Sequence, residues 1–171
     1  MSKSKQKIAA LAIATLSLMT VGVAGFAQKH FMLAAPRPEV KVQLSAMVER
    51  DSALVPLEKA AAVKPGEVLD WTITSENSGN ASALEYKAVG HIPRGTEFVA
   101  GTAKADGAKA VYSIDHGKSF SDKPMIEEKQ PDGSMKRVAA PVAMYTDVRY
   151  EWSDPLAQNG KLSASYKVRV K

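Results

Sequence analysis

From Val40 onward, apolar and polar residues alternate with a period of two. Val40, Val42, Leu44, Ala46 and Val48 are interleaved with Lys41, Gln43, Ser45 and Met47. One face of such a segment is apolar and the other mostly polar, as a half-buried strand requires. The same rhythm returns over Val68–Ser75, where Leu69, Trp71 and Ile73 share a face. It returns again over Leu84–Ile92, where Tyr86 and Ala88 are expected to point inward, and in Thr96–Thr102 around Phe98 and Val99. Val142–Trp152 reads as a long strand with Val148, Tyr150 and Trp152 on one side. Lys161–Val170 closes the chain with Leu162, Ala164, Tyr166, Val168 and Val170 set against Ser163, Ser165, Lys167 and Arg169.

Between these runs lie turn signals: Lys64-Pro65-Gly66-Glu67, Asn77-Ser78-Gly79-Asn80, Pro93-Arg94-Gly95 and Gln158-Asn159-Gly160. Glycine and asparagine tolerate the backbone angles a reversal needs, and proline fixes one of them. Asp115-His116-Gly117 separates Ala110–Ile114 from Lys118–Phe120 as a hairpin, with Asp115 and Gly117 as its structural turn residues. Pro131-Asp132-Gly133-Ser134 marks a second hairpin, whose arms span Ile126–Arg137 and carry Glu127, Glu128, Lys129, Asp132, Lys136 and Arg137. Leu54, Val55 and Leu57 suggest a short edge segment that Pro56 keeps off a central ladder. Glu58–Val63 fits a helical turn stopped by Pro65-Gly66. About seven to nine short strands with regular turns and no strong helix define an all-β sandwich. Its two sheets would bury Trp71, Ile73, Phe98 and Trp152, the Trp71 and Trp152 strands facing one another.

The first 27 residues follow another logic. Lys3, Lys5 and Lys7 precede an apolar run, Ile8–Val23, and Gly25-Phe26-Ala27 places small residues before Gln28. That is the three-part layout of a secretory signal, with cleavage between Ala27 and Gln28. An uncleaved anchor is the competing reading, since the 20 residues Ile8–Ala27 could just cross a ~30 Å hydrocarbon layer. Either way the domain lies outside the cytoplasm: periplasmic, envelope-bound or extracellular. Residues 28–39, with Pro36 and Pro38, read as a spacer, and residues 40–171 as the domain.

Charge and composition narrow the chemistry. The formal charge of +5 falls to +2 once Lys3, Lys5 and Lys7 are set aside, leaving 20 basic against 18 acidic residues. The remaining bases are dispersed, which argues against a nucleic-acid surface. With no cysteine, disulfides, thiolate metal sites and cysteine nucleophiles are excluded. His30, His91 and His116 lack metal-ligand spacing, and no Asp-rich loop offers the oxygens calcium needs. A calcium or sugar site would have to use Asp115 and Asp122. No nucleophile elbow or phosphate loop occurs. Paired carboxylates could be drawn only from Glu76, Glu85 and Glu97. Trp71, Trp152, Tyr145 and Tyr150 would serve a sugar platform if exposed, although the apolar neighbours of both tryptophans favour core packing.

Four ordered segments resemble the exported bacterial conserved-repeat family known as domain of unknown function 11, an immunoglobulin-like sandwich. They are Val63–Thr74 followed by Glu76–Gly79, Ile92–Thr102, Tyr112–Phe120, and Val148–Trp152 with the closing strand to Val170. The likeness covers about Val40–Lys171 and departs at Gly90-His91, where the family often has Asp-Pro. It implies a surface or envelope location and no catalytic residue. The functional expectation is a non-catalytic structural or adhesion module, without cofactor, that contacts an envelope or surface protein. Strand addition at an edge, Val40–Val48 or Lys161–Val170, would serve such contacts or self-association. A carbohydrate-binding module and a periplasmic enzyme are the alternatives.

Overall fold

The computed structural model describes residues 35–50, 53–60 and 62–171. The expected signal segment, its Ala27–Gln28 junction and His30 lie outside the described residues. The described chain is all-β and antiparallel. Eleven strands run in order: β1 (Val40–Arg50), β2 (Ala53–Pro56), β3 (Val68–Asn77), β4 (Lys87–His91), β5 (Thr96–Phe98), β6 (Lys104–Ala105), β7 (Ala108–Ser113), β8 (Met125–Lys129), β9 (Met135–Ala139), β10 (Asp147–Trp152) and β11 (Lys161–Val170). Two short 3-10 turns, Leu57–Lys59 and Val142–Met144, are the other regular elements. Ala35–Lys171 forms one compact unit.

One sheet has the order β2-β1-β3-β11-β5, with β6 also on β11; a second has the order β4-β10-β7; β8 and β9 form a separate hairpin. The two larger sheets share one core. Val48, Leu69, Ile73, Phe98, Ala164, Tyr166 and Val168 meet Ala88, Val148, Tyr150 and Trp152 from the opposite side. Trp71 packs half-buried against that cluster, and Trp152 donates its indole N–H to Asp106 O at 2.9 Å. Tyr150 and Tyr166 are wholly buried, and each anchors its ring by a 2.6 Å bond from the hydroxyl, to Ser165 O and His91 O respectively. A buried hydroxyl without such a partner would carry an uncompensated desolvation cost.

Several boundaries differ from the sequence reading. Val142–Trp152 is not one strand: Pro141 leads into a 3-10 turn and the ladder begins only at Asp147. Leu84 and Glu85 precede β4, and Glu85 adopts φ 49°, which interrupts an extended run. Lys118–Phe120 is not a strand; the hairpin closes through a single bridge, Tyr112 to Ser121. β6 went unread. Its Asp106-Gly107 exit, with Gly107 at φ 68°, carries the chain from the β11 edge of one sheet to β7 in the other.

The most consequential difference concerns β11. It pairs with β3 along Lys161–Arg169 and on its other side with β5 and β6. It is an interior strand, not the free edge that its terminal position in the chain suggested.

Asn77 organises one end of the molecule. It is wholly buried. Its Oδ1 accepts from Glu39 N at 3.0 Å and Gly79 N at 3.1 Å, and its Nδ2 donates to Ala81 O at 2.7 Å and Leu156 O at 3.1 Å. The entry segment is thereby tied to the turn after β3: Ser78 N donates to Glu39 O, and Asn80 N to Arg37 O. Any Cβ at Gly79 would fall on the Arg37–Glu39 backbone, so only glycine permits this approach.

Candidate functional site

Two features stand out above the core: the outer edge of β1, and a cleft at the end of β4.

β1 pairs with β3 from Val40 to Val48, but β2 covers its other side only from Met47 to Arg50. Among the described residues, Val40–Ala46 has no strand on its outer edge. Ser78 N donates to Glu39 O at 2.8 Å, which turns the Glu39 carbonyl toward the β3 side. By the period of two, Lys41, Gln43 and Ser45 present their backbone groups to β3. Val40, Val42, Leu44 and Ala46 present theirs outward. These outward N–H and C=O groups form an open ladder.

The side chains on this stretch are also uncovered. Val42 and Leu44 lie opposite Ser75 and Ile73 and therefore on the core-facing side of the sheet. Ser75 and Ile73 are 1% and 2% exposed, whereas Val42 and Leu44 are 60% and 53% exposed. The three-stranded sheet covers β3 but does not reach over the first half of β1. The sequence placed Val42 and Leu44 on the right face and, by implication, in the core. The face is as expected and the burial is not.

The cleft has a volume of about 470 Å³ and is lined by His91, Arg94, His116, Tyr145, Thr146 and Lys171, among others. It brings together two histidines that stand 25 positions apart in the sequence. His91 Nδ1 faces Oδ1 of Asp147, a buried carboxylate oxygen with no other partner. Thr146 Oγ1 lies 2.8 Å from the other Asp147 oxygen and accepts from His116 N at 3.0 Å. Ser113 donates its hydroxyl to Asp115 at 2.7 Å. The serine and threonine hydroxyls of this network are thus engaged by carboxylates, and neither presents an oxygen to an imidazole as nucleophilic catalysis needs.

The remaining sequence candidates are dispersed. Asp115 uses both oxygens on its own turn: Oδ1 accepts from Ser119 N and Ser113 Oγ, and Oδ2 from Ser119 Oγ at 2.6 Å. The Ser119 bonds, first, then that of Ser113, hold its carboxyl well below the usual carboxylate range. His116 and Gly117 take φ of 61° and 77° within this loop. Asp122 faces Lys109 instead. Among the described residues no three histidine or acidic side chains converge as a metal site. Glu76 and Glu97 stand beside opposite ends of β11, across from Lys161 and Arg169, ~26 Å apart at ~3.3 Å per residue. A glycosidase pair needs its carboxyl groups within about 10 Å, so these two do not make one. Glu85 lies in the loop before β4.

The aromatic residues point inward. Trp152 and Tyr150 are buried, so neither offers a ring face to a sugar. Tyr145 stacks on Tyr112, with ring centroids 4.9 Å apart, and burial pushes both phenols up. Ile73 and Phe98 lie in the core.

The β8–β9 hairpin places Glu127 opposite Arg137 and Glu128 opposite Lys136. Opposite charges across a strand pair contribute modestly at exposed positions, which accounts for a polar hairpin that holds its register without a core of its own. No described helix is long and apolar enough to cross a membrane.

Compared with family models, with curated proteins and with solved structures, the chain matches none.

Proposed function

We propose that this chain is an exported, non-catalytic module of the cell envelope or surface, built as an immunoglobulin-like sandwich of the kind its four sequence segments resemble. It works by protein–protein contact, through strand addition at β1. One observation carries this reading: the open Val40–Ala46 edge, with Val42 and Leu44 exposed beside it. An extended segment laid along that edge satisfies the outward backbone groups and covers the two apolar side chains at once. Soluble proteins blunt free edges with charge, proline or a covering loop; along the core-facing side of this stretch the residues are Val40, Val42, Leu44 and Ala46, none of which does so.

Export accords with the lysine-flanked apolar segment ahead of Gln28. Lack of catalysis accords with the engaged hydroxyls beside His91 and His116. A contact function needs no cofactor.

The test compares wild type with Val42→Lys/Leu44→Lys in the cell that makes the protein. Both substitutions sit at exposed positions, so the fold, read by tryptophan fluorescence, is expected to persist. Wild type should fractionate with envelope assemblies and the double variant should be released from them. A double variant that keeps every association of the wild type overturns the reading. Intact-mass measurement of the exported chain, with Gln28 as its first residue, checks the processing step.

A further inference from the structure

The cleft at the end of β4 is a second surface feature, separate from the β1 edge and independent of what covers it. We infer that this cleft binds the oxyanion of a small molecule, a carboxylate or a phosphate ester, with Arg94 as its principal contact.

The lining is one-sided in its chemistry. None of its ten residues has an acidic side chain, whereas Arg94 and Lys171 carry fixed positive charge, His91 and His116 bring imidazoles and Tyr145 brings a phenol. Walls of one sign concentrate the opposite charge. The Arg94 guanidinium has no hydrogen-bond or ion-pair partner among the described residues, and the Tyr145 hydroxyl has no hydrogen bond there. A guanidinium meets an oxyanion through paired N–H bonds. The backbone adds donors. Pro93–Thr96 is a tight turn closed from Thr96 N to Pro93 O at 3.1 Å, with Gly95 at φ 80°. The N–H groups of its two central residues, Arg94 and Gly95, donate to no described acceptor. Successive free N–H groups in a turn suit an anion. A Cβ at Gly95 would meet nothing within 4 Å, so the space beside the turn is open to a ligand.

Two neighbouring residues, Thr146 and Asp147, set the histidines. Asp147 is 1% exposed and turns Oδ1 to His91 Nδ1. This orients the ring and leaves Nε2 for the cleft. That nitrogen accepts from a ligand hydroxyl in the neutral ring and donates in the charged one. The Asp147 charge stays on the Nδ1 side, and Asp147 does not line the cleft. His116 holds φ 61°, which costs a residue with a side chain more than glycine. Its own N–H donates to Thr146 Oγ1 at 3.0 Å, and Gly117 N donates to Ser113 Oγ at 2.9 Å. These bonds keep the loop in that conformation with His116 in the cleft lining. The volume of about 470 Å³ falls within the ~300–1,000 Å³ of small-molecule sites. Ile92, Pro93 and Tyr145 supply its apolar wall.

The test titrates the ¹⁵N-labelled chain, as its cells produce it, with sodium phosphate and with sodium acetate. The pH is fixed, and sodium chloride keeps the ionic strength constant. Saturable amide shifts centred on Arg94, Gly95 and His116 are expected with at least one of the two, and the tighter one names the oxyanion. Arg94→Ala, at an exposed turn position, should weaken binding about tenfold or more. Arg94→Lys should recover only part of that loss, because an ammonium cannot make the paired contact. His116→Gly suits the backbone angle of the loop and removes the imidazole. It should keep the amide spectrum of the fold and weaken binding about threefold or more. Arg137→Ala, on the β8–β9 hairpin, should bind as the wild type does. Shifts that fail to saturate with either salt overturn the inference. So do shifts centred on another surface, and so does equal affinity in wild type and Arg94→Ala. None of these outcomes bears on the β1 edge, which the double lysine variant tests separately.

Discussion

Asn77 shows how much one polar side chain can organise. It was legible as the first residue of a turn, because Asn77-Ser78-Gly79-Asn80 has turn chemistry. Its burial was not legible. The groups it binds come from Glu39, Gly79, Ala81, Leu156 and Ala157, and no local pattern announces that segments 80 residues apart will converge on one amide. Replacing it with alanine removes the acceptor for Glu39 N and Gly79 N and the donor to Ala81 O around a small void, while Leu156 O keeps its bond from Ala83 N. Unsatisfied buried groups cost about 1–3 kcal/mol each, less where water can enter. Asn77→Ala is therefore expected to lower stability by about 2–4 kcal/mol, read as a shift of the urea midpoint at unchanged slope. A loss below about 0.5 kcal/mol, the usual range for a neutral surface change, would show that the hub is not structural. Gly90 was misleading at the same scale. It departs from the resembling family's Asp-Pro, yet it sits in β4 with the Tyr166 ring against its Cα, where any Cβ would overlap that ring. The reason for glycine there is a side chain 76 positions away.

Among the elements, the faces of strands were readable and their neighbours were not. Val148, Tyr150 and Trp152 are all buried, as a period of two along β10 requires. The same rule says nothing about strand order, which is why β11 was read as an edge and is interior. It says nothing about how far the opposing sheet extends either, which is why Val42 and Leu44 were assigned to a core that stops short of them. Turn chemistry at 113–119 was more informative, since Ser, Asp, Gly and Ser at close spacing bond within a few residues of themselves. That locality makes a prediction. Asp115→Ala removes the acceptor for Ser119 N, Ser119 Oγ and the hydroxyl of Ser113 at the end of β7, but no backbone ladder bond of either sheet. Amide exchange at Ser119 should rise about tenfold or more, as expected when a local opening loses its main bond. The amides of β7 and β10 should keep their wild-type protection. Loss of protection across β10 would mean that the loop supports the sheet rather than decorating it.

For the whole molecule, alkaline pH probes the shared core directly. Tyr150 and Tyr166 come from opposite sheets, are both fully buried, and donate to carbonyls across the core. Burial, above all, pushes both phenols well above their usual 10; the neighbouring Tyr166 adds to this for Tyr150, and the Asp147 charge adds to it for Tyr166. In the unfolded chain each loses its proton near pH 10, while the folded chain still holds it. Above that pH the unfolded state binds fewer protons than the native state, so stability falls as pH rises. Below pH 10 the contribution of these two groups is fully present and flat. Beyond it, each group removes about 1.4 kcal/mol per pH unit until its folded pKa is reached, or about 2.7 kcal/mol per unit for the pair. Urea unfolding at pH 8, 9, 10 and 11 should show the break. Absorbance at 295 nm should show Tyr150 and Tyr166 ionising only as the protein unfolds. Tyr150→Phe should reduce the slope above pH 10 by about 1.4 kcal/mol per unit while lowering stability at pH 8, because the Ser165 carbonyl loses the bond from the Tyr150 hydroxyl. If all five tyrosines titrate near pH 10 with tryptophan fluorescence still native, then water reaches the space between the sheets, and the two do not enclose a common core.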